Sequence, residues 1–260
     1  MVDTELVGEL VEDSAVVAAN AHALEAVDEL LWNRTLRAEP ERASAESLLY
    51  GAWCNATFEG AEVPIESLRS DAADSSPMGA TATATLRMYA MVDPDLFGRA
   101  PLQALARMHA ILAAAAPGGV QGQPRQGEEV VDPLRLKVQA PAAELPARLQ
   151  SLARLLTSSA SLPAVQVAGI AHAELASAQP FERGSGLIAR AASRAVMQQR
   201  GLDPDGWSVP EAGLRALGRP KYVAAIRDYA AGSREGAVQW LVLHAQCVAV
   251  GAQEAAQRLG

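Results

Sequence analysis

Along most of the chain, apolar side chains return every three or four positions, the period of a helix that buries one face. Residues 5–38 place Leu6, Leu10, Val16, Val17, Leu24, Val27, Leu30 and Leu31 at that spacing and predict one or two amphipathic helices, with Trp32 closing the face. Pro40 breaks the pattern, and Ser44 can start a second helix through Leu48, Leu49 and Trp53. A Ser/Asp/Gly/Pro loop at 70–80 is the best internal boundary. Beyond it, Leu86, Met88, Tyr89 and Met91 mark a helix ending near Asp93-Pro94. Leu102, Leu105, Met108, Ile111 and Leu112 mark another, closed by Pro117-Gly118-Gly119. Leu149, Leu152, Leu155 and Leu156 form a clear stripe, and a helix at 162–178 carries Val165, Gly169, His172 and Leu175 on one face that Gln179 continues. Ile188 to Gln199 follows, ended by Gly201, and Lys221–Ile226 and Val238–Leu243 read as the two final helices. One stretch departs: in 118–140, Val130-Val131 and Leu134–Val138 show strand alternation, which predicts a short β-hairpin, with a surface loop as the other reading.

The fold class is therefore mostly α. Composition agrees: half the 260 residues are hydrophobic but only 4% are aromatic, and alanine is abundant, which favours close-packed helices. The division expected is an N-terminal helical extension at 1–75 and a core at 76–260. Charge follows it. Residues 1–75 carry 16 acidic and 4 basic side chains, and the rest 14 and 18, for a net −8 overall. An acidic solvated face on the first helices accounts for this. A sharper reading is that the second part uses arginine, whose planar fork grips phosphate or carboxylate; Lys137 and Lys221 are the only lysines. No basic run with interleaved aromatics occurs, so no nucleic-acid partner is expected. No apolar run has the length of a membrane span, and the N-terminus is acidic, so no membrane association and a cytoplasmic location are expected. Cys54 and Cys247 are too few for a disulfide framework or a zinc site, and no metal ligands are assigned.

The most informative stretch runs from Gln179 to Arg190, QPFERGSGLIAR, between two alanine-rich helices. Gly184 and Gly186 allow a tight turn, and Ser185 can cap the helix that follows. The amides of Gly186, Leu187 and Ile188 would then point outward at a helix N-terminus, where unpaired N–H groups and the helix dipole favour an anion. This stretch resembles the signature loop of the Fic (Fido) family, H-P-F-x-(D/E)-G-N-G-R-x-x-R. Pro180, Phe181, Gly184, Gly186 and Arg190 match; Gln179 stands at the histidine, Arg183 at the metal-binding acid, Ser185 at the asparagine and Leu187 at the first arginine. The resemblance runs from about residue 48 to 255. It implies a Fic-like helical core, with the 118–140 hairpin as a flap that adds a target peptide as an extra strand. Gly122-Gln123-Pro124-Arg125 resembles the G-x-(F/Y)-R that opens that flap, with proline removing a donor. His109 and His172 match histidines common in the family scaffold, and both are read as structural. His172 lies seven residues before Gln179, about 10 Å along the axis, and is a poor substitute base.

Upstream, Asn55-Ala56-Thr57-Phe58-Glu59-Gly60 resembles the inhibitory segment (S/T)-x-x-x-E-(G/N) of some Fic proteins, with asparagine at its first position. By that resemblance Glu59 enters the nucleotide pocket and pairs with Arg190. An Arg–carboxylate fork is the strongest partner a buried carboxylate can find.

In the family the loop moves AMP or a related group from a nucleotide to a protein hydroxyl. Glutamine cannot serve as general base, a loss of roughly 10²–10⁴ in rate. Arginine cannot hold Mg²⁺, so Mg²⁺ is not expected, and Leu187 removes a phosphate contact. The usual AMP transfer is thus not expected. Three readings follow. The first is a degenerate Fic-fold protein binding a nucleotide or other phosphorylated ligand through Arg183, Gly184, Ser185, Gly186, Leu187 and Arg190, gated by Glu59 and Gly60. The second is an interaction module recruiting a protein partner through the flap, at Arg125, or through the acidic N-terminal helices. The third is a transferase with altered chemistry on a protein hydroxyl.

Overall fold

The computed structural model describes residues 4–70, 76–114, 121–158 and 161–260. The 70–80 boundary loop and the Pro117-Gly118-Gly119 stop fall partly or wholly outside them. The α-helices among the described residues are, in order, α1 Thr4–Val11, α2 Ser14–Leu31, α3 Arg34–Ala38, α4 Pro40–Phe58, α5 Ile65–Arg69, α6 Pro77–Met91, α7 Pro94–Arg99, α8 Pro101–Ala113, α9 Leu145–Ser158, α10 Ala164–Ala178, α11 Ser185–Gln199, α12 Pro210–Leu217, α13 Arg219–Ala230 and α14 Arg234–Leu259.

The N-terminal pattern resolves into three helices rather than one or two, because Asp13 and Asn33 each turn a side-chain oxygen onto the first free amides of the next helix. Helix α2 buries Val16, Ala23, Val27 and Leu30 and lies along α14. Val17 and Leu24 face solvent instead, and Trp32 is 65% exposed rather than closing the face, with the Arg37 guanidinium 4.6 Å above its ring. The main apolar core takes in residues from Val7 to Ala255, and a smaller cluster around Leu49, Ala56 and Leu68 lies apart from it.

Helix α10 is its axis. From Val165 to Ala178 every residue is buried, and the many alanines let α11, α13 and α14 pack against it on all sides. Helix α12 has no counterpart among the elements read from the sequence. It meets α14 so closely that a Cβ on Gly213 would lie 2.1 Å from the Cys247 carbonyl oxygen and 2.7 Å from its Cα. Backbone cannot yield as a side chain can. Gly213→Ala is expected to destabilise by about 1–3 kcal/mol in denaturant titrations, whereas Gly8→Ala, with nothing within 4 Å of the new methyl, should be neutral or slightly stabilising.

The expected β-hairpin flap does not form; no strand occurs among the described residues. Residues 121–140 run in extended and turn conformations, and several of their backbone donors go outside the segment. The N–H groups of Arg125, Val131 and Ala140 donate to the carbonyls of Pro180, Glu182 and Ala178. Arg135 and Lys137 take φ values of 53° and 56°, which break strand alternation. The segment is thus fastened to the end of α10 and the loop that follows it, with turn bonds of its own such as Arg135 N–H to the Asp132 carbonyl, and not paired as a hairpin.

Candidate functional site

The loop begins where α10 ends. Gln179 adopts a left-handed conformation, φ 45°, and Pro180 prevents the helix from continuing. Gln179 therefore leaves the face it was expected to continue: its Nε2 donates to the Val138 carbonyl at 2.8 Å, and its own carbonyl accepts from Arg125 Nε at 2.8 Å. Arg125 is buried, and its guanidinium also donates to the carbonyls of Gly127 and Ala140. It staples the 121–140 segment to the carbonyl end of α10, where positive charge suits the helix dipole.

Gly184, φ 76°, precedes α11 as its N-cap. Ser185 does not cap the helix as its type suggested. Its hydroxyl turns back, accepting from the Phe181 N–H at 3.0 Å and donating to the Phe181 carbonyl at 3.1 Å. Ile188 N–H bonds Gly184, while the amides of Ser185, Gly186 and Leu187 make no hydrogen bond among the described residues. Phe181 stacks on His109 with ring centroids 4.1 Å apart, and Gly122 N–H donates to His109 Nδ1 at 3.2 Å. Burial lowers the pKa of His109, which stays neutral near pH 7.

The end of α4 meets this helix N-terminus. Glu59 Oε1 accepts from Arg190 Nη2 at 2.5 Å, with both side chains almost fully buried. The carboxylate lies so near α11 that a Cβ on Gly186 would sit 2.0 Å from Oε1. Asn55, one turn earlier, accepts from Arg190 Nε at 2.5 Å and donates to the Leu187 carbonyl and the Tyr89 hydroxyl, each at 2.9 Å. Asparagine in place of a hydroxyl residue thereby ties helix, arginine and loop together. Phe58 and Tyr222 lie beneath the Arg190 guanidinium, 5.3 and 5.9 Å from its carbon. Burial acts to lower the Arg190 pKa, but the Glu59 carboxylate together with the Tyr222 and Tyr89 hydroxyls outweighs it and holds the pKa above its usual value. Arg190 Nη1 has no hydrogen-bond partner among the described residues.

Helix α11 carries a second buried arginine one turn on. Arg194 donates to Ser47 Oγ at 2.6 Å and to the Gly206 carbonyl at 2.5 Å, and lies 3.5 Å from Glu211. Tyr89 donates to Glu211 at 2.7 Å, so Arg190, Asn55, Tyr89, Glu211 and Arg194 form one buried polar network. Asn55, Tyr89 and Glu211 were not singled out as partners from the sequence. The only local hint was a polar residue at the buried end of α4.

Above the pair is a cavity of about 670 Å³, with Glu59, Gly184 and Leu187 on its inner wall and Arg183 also lining it. Arg183 is exposed and forms no ion pair among the described residues. Gln179 and Arg190 do not line the cavity; the Glu59 carboxylate stands between it and Arg190. The structure thus brings Glu59, Gly184, Gly186, Leu187 and Arg190 to one place, with Gly60 (φ 94°) just beyond the end of α4 and Arg183 at the rim. Gln179 and Ser185 are turned to structural bonds.

Deeper in the core, His172 Nε2 lies 3.0 Å from the Tyr222 hydroxyl, and His244 Nε2 lies 2.9 Å from Ser193 Oγ. Burial lowers both pKa values, that of His244 to about 4. Because the unfolded chain takes up protons near pH 6.5 and the folded one does not, stability is lost as pH falls through this window. For His244 alone the loss by pH 5 is expected to be about 2 kcal/mol. His244→Gln should flatten the dependence of Tm on pH between 7 and 5 relative to the parent; an unchanged slope would place the titration elsewhere.

No family model matches the chain, and no curated protein does. Among solved structures, a Fic family protein from Desulfovibrio desulfuricans G20 superposes with a TM-score of 0.71 at 16% identity, over 94% of this chain and 75% of that one. A Fic domain containing signaling protein from Bacteroides thetaiotaomicron gives 0.71 at 14%, over 93% and 96%. Fic-1 from C. elegans gives 0.65 at 18%, over 92% and 72%. The chain has a Fic-like fold, and identities this low speak for architecture alone. Among the described residues no helix is long and apolar enough to cross a membrane.

Proposed function

We propose that this Fic-like fold binds a phosphorylated ligand, a nucleotide among the candidates, without metal and without the usual AMP transfer, and that Glu59 gates the site. The observation that carries this reading is the Glu59 carboxylate itself. It lies against Gly186 at a helix N-terminus and on Arg190, the position a phosphate would take if the carboxylate withdrew. Three amides and Arg190 Nη1 have no other partner among the described residues, and such groups welcome an oxyanion.

The donor set does not suit Mg²⁺. Glu59 is engaged by Arg190, and Glu182, the other carboxylate on the wall, has the cationic Arg183 beside it. Arg183 would supply at the rim the positive charge that a metal supplies in an active relative. Gln179 has no titratable group and holds the Val138 carbonyl, so nothing at its position removes a proton from a target hydroxyl.

Calorimetry with ATP, ADP and AMP in EDTA tests the reading. Binding by Glu59→Gly, and more weakly by the parent, supports it; no binding by either protein overturns it. A second reading, an interaction module, draws on exposed Trp32, Val17 and Leu24 along α2. Because α2 also builds the core, its test is a point change, Trp32→Ser, in a pull-down rather than deletion of the helix.

A further inference from the structure

The ligand class can be narrowed, on the premise that the cavity takes an oxyanion beside Gly186. We infer that the ligand is an anionic amphiphile: one phosphate-type head group carrying an apolar body, not a phosphate carrying a hydrogen-bonding base. The walls away from Glu59 come from α6, α8 and the 121–140 segment and present Ala80, Ala84, Leu112, Pro124, Val131 and Pro133. About 670 Å³ is far more room than a phosphate needs and lies within the usual range for a small-molecule site.

Two of the polar side chains on those walls, Thr81 and Arg125, are already satisfied among the described residues. Thr81 Oγ1 donates to the Pro77 carbonyl at 2.8 Å, inside its own helix. Arg125 donates to the carbonyls of Gln179, Gly127 and Ala140. His109 Nδ1 accepts from Gly122, which leaves that ring a single N–H. Gln123 and Gln126 are exposed at the mouth. A purine has several ring and exocyclic polar atoms, each of which costs free energy when buried without a partner. An alkyl or terpenoid body has none and gains from the same walls. Val131, 46% exposed, and Pro133 extend the apolar surface to the opening, so a chain longer than the cavity could follow it outward.

The experiment compares inorganic phosphate, butyl, hexyl and octyl phosphate, AMP and hexanol, each below its aggregation limit, by calorimetry and thermal shift in EDTA. Both the parent and Glu59→Gly are used. Binding to Glu59→Gly is expected to tighten about three- to fourfold per added methylene, to exceed that of AMP at six carbons, and to be lost with hexanol. Ala80→Phe in the same background should remove the chain-length dependence while phosphate binding persists. AMP binding more tightly than hexyl phosphate, or hexanol binding as well as hexyl phosphate, would overturn the inference and leave the oxyanion site or the cavity, respectively, standing. Absence of binding by phosphate, AMP and every alkyl phosphate would instead remove the premise.

Discussion

Glu59→Gly is expected to make this protein bind AMP and inorganic phosphate roughly 10- to 150-fold more tightly, the range spanned by displacing a charged hydrogen bond of about 1.5–3 kcal/mol. On the proposed reading, a ligand oxyanion in the parent must first expel the Glu59 carboxylate that now pairs with Arg190, so the pair would compete with it directly. Glycine is tolerated in the backbone at this position, the C-cap of α4, and the change leaves the Asn55 bond to Arg190 Nε in place. In anion-free buffer the variant should melt below the parent, because Arg190 keeps its charge in a buried setting without its carboxylate. Phosphate should restore part of that loss, since a ligand that binds only the folded state raises Tm in proportion to the logarithm of its excess over Kd. Adding Gly186→Ala should abolish the rescue, as the new methyl would stand where the carboxylate oxygen now lies. A variant whose Tm is indifferent to phosphate would rule out competition between Glu59 and an oxyanion.

Arg190→Met should lower stability by about 3–5 kcal/mol, the usual result of removing one partner from a buried ion pair. It strands the Glu59 carboxylate and leaves Asn55 Oδ1 without its donor. Methionine retains much of the volume, so little of the loss would come from a cavity. Glu59→Gln combined with Arg190→Met should recover most of the loss, because a neutral amide tolerates the site, and the double-mutant cycle then gives the coupling directly. A loss below about 1 kcal/mol for Arg190→Met would mean that Glu59 swings into the water of the cavity it lines.

Much of the fold could be read from periodicity. The 162–178 and 188–199 segments lie within or close to α10 and α11, and the final segments fall within α13 and α14. The first helix after the loop starts at Ser185, three residues earlier than expected, because Gly184 turns the chain directly into it. The ion pair between Glu59 and Arg190 was reached through resemblance, since no spacing rule joins residues 131 positions apart. The absence of the expected hairpin has a related cause. Alternation is a local signal, whereas the amides of Arg125, Val131 and Ala140 found distant carbonyl partners at Pro180, Glu182 and Ala178.

By itself, then, the sequence determined where most of the longer helices run, because helical spacing, proline and capping side chains act within a few residues. Its resemblance to the Fic signature loop, carried by Pro180, Phe181, Gly184, Gly186 and Arg190, implies that Gln179, Arg183 and Leu187 stand where that loop keeps a base, a metal ligand and a phosphate contact. The tertiary structure alone decided that Ser185 turns back to Phe181, that Gln179 holds the 121–140 segment, and that Asn55, Tyr89 and Glu211 join two arginines in one buried network. Those outcomes depend on which donors and acceptors are left together once the helices pack and water is excluded.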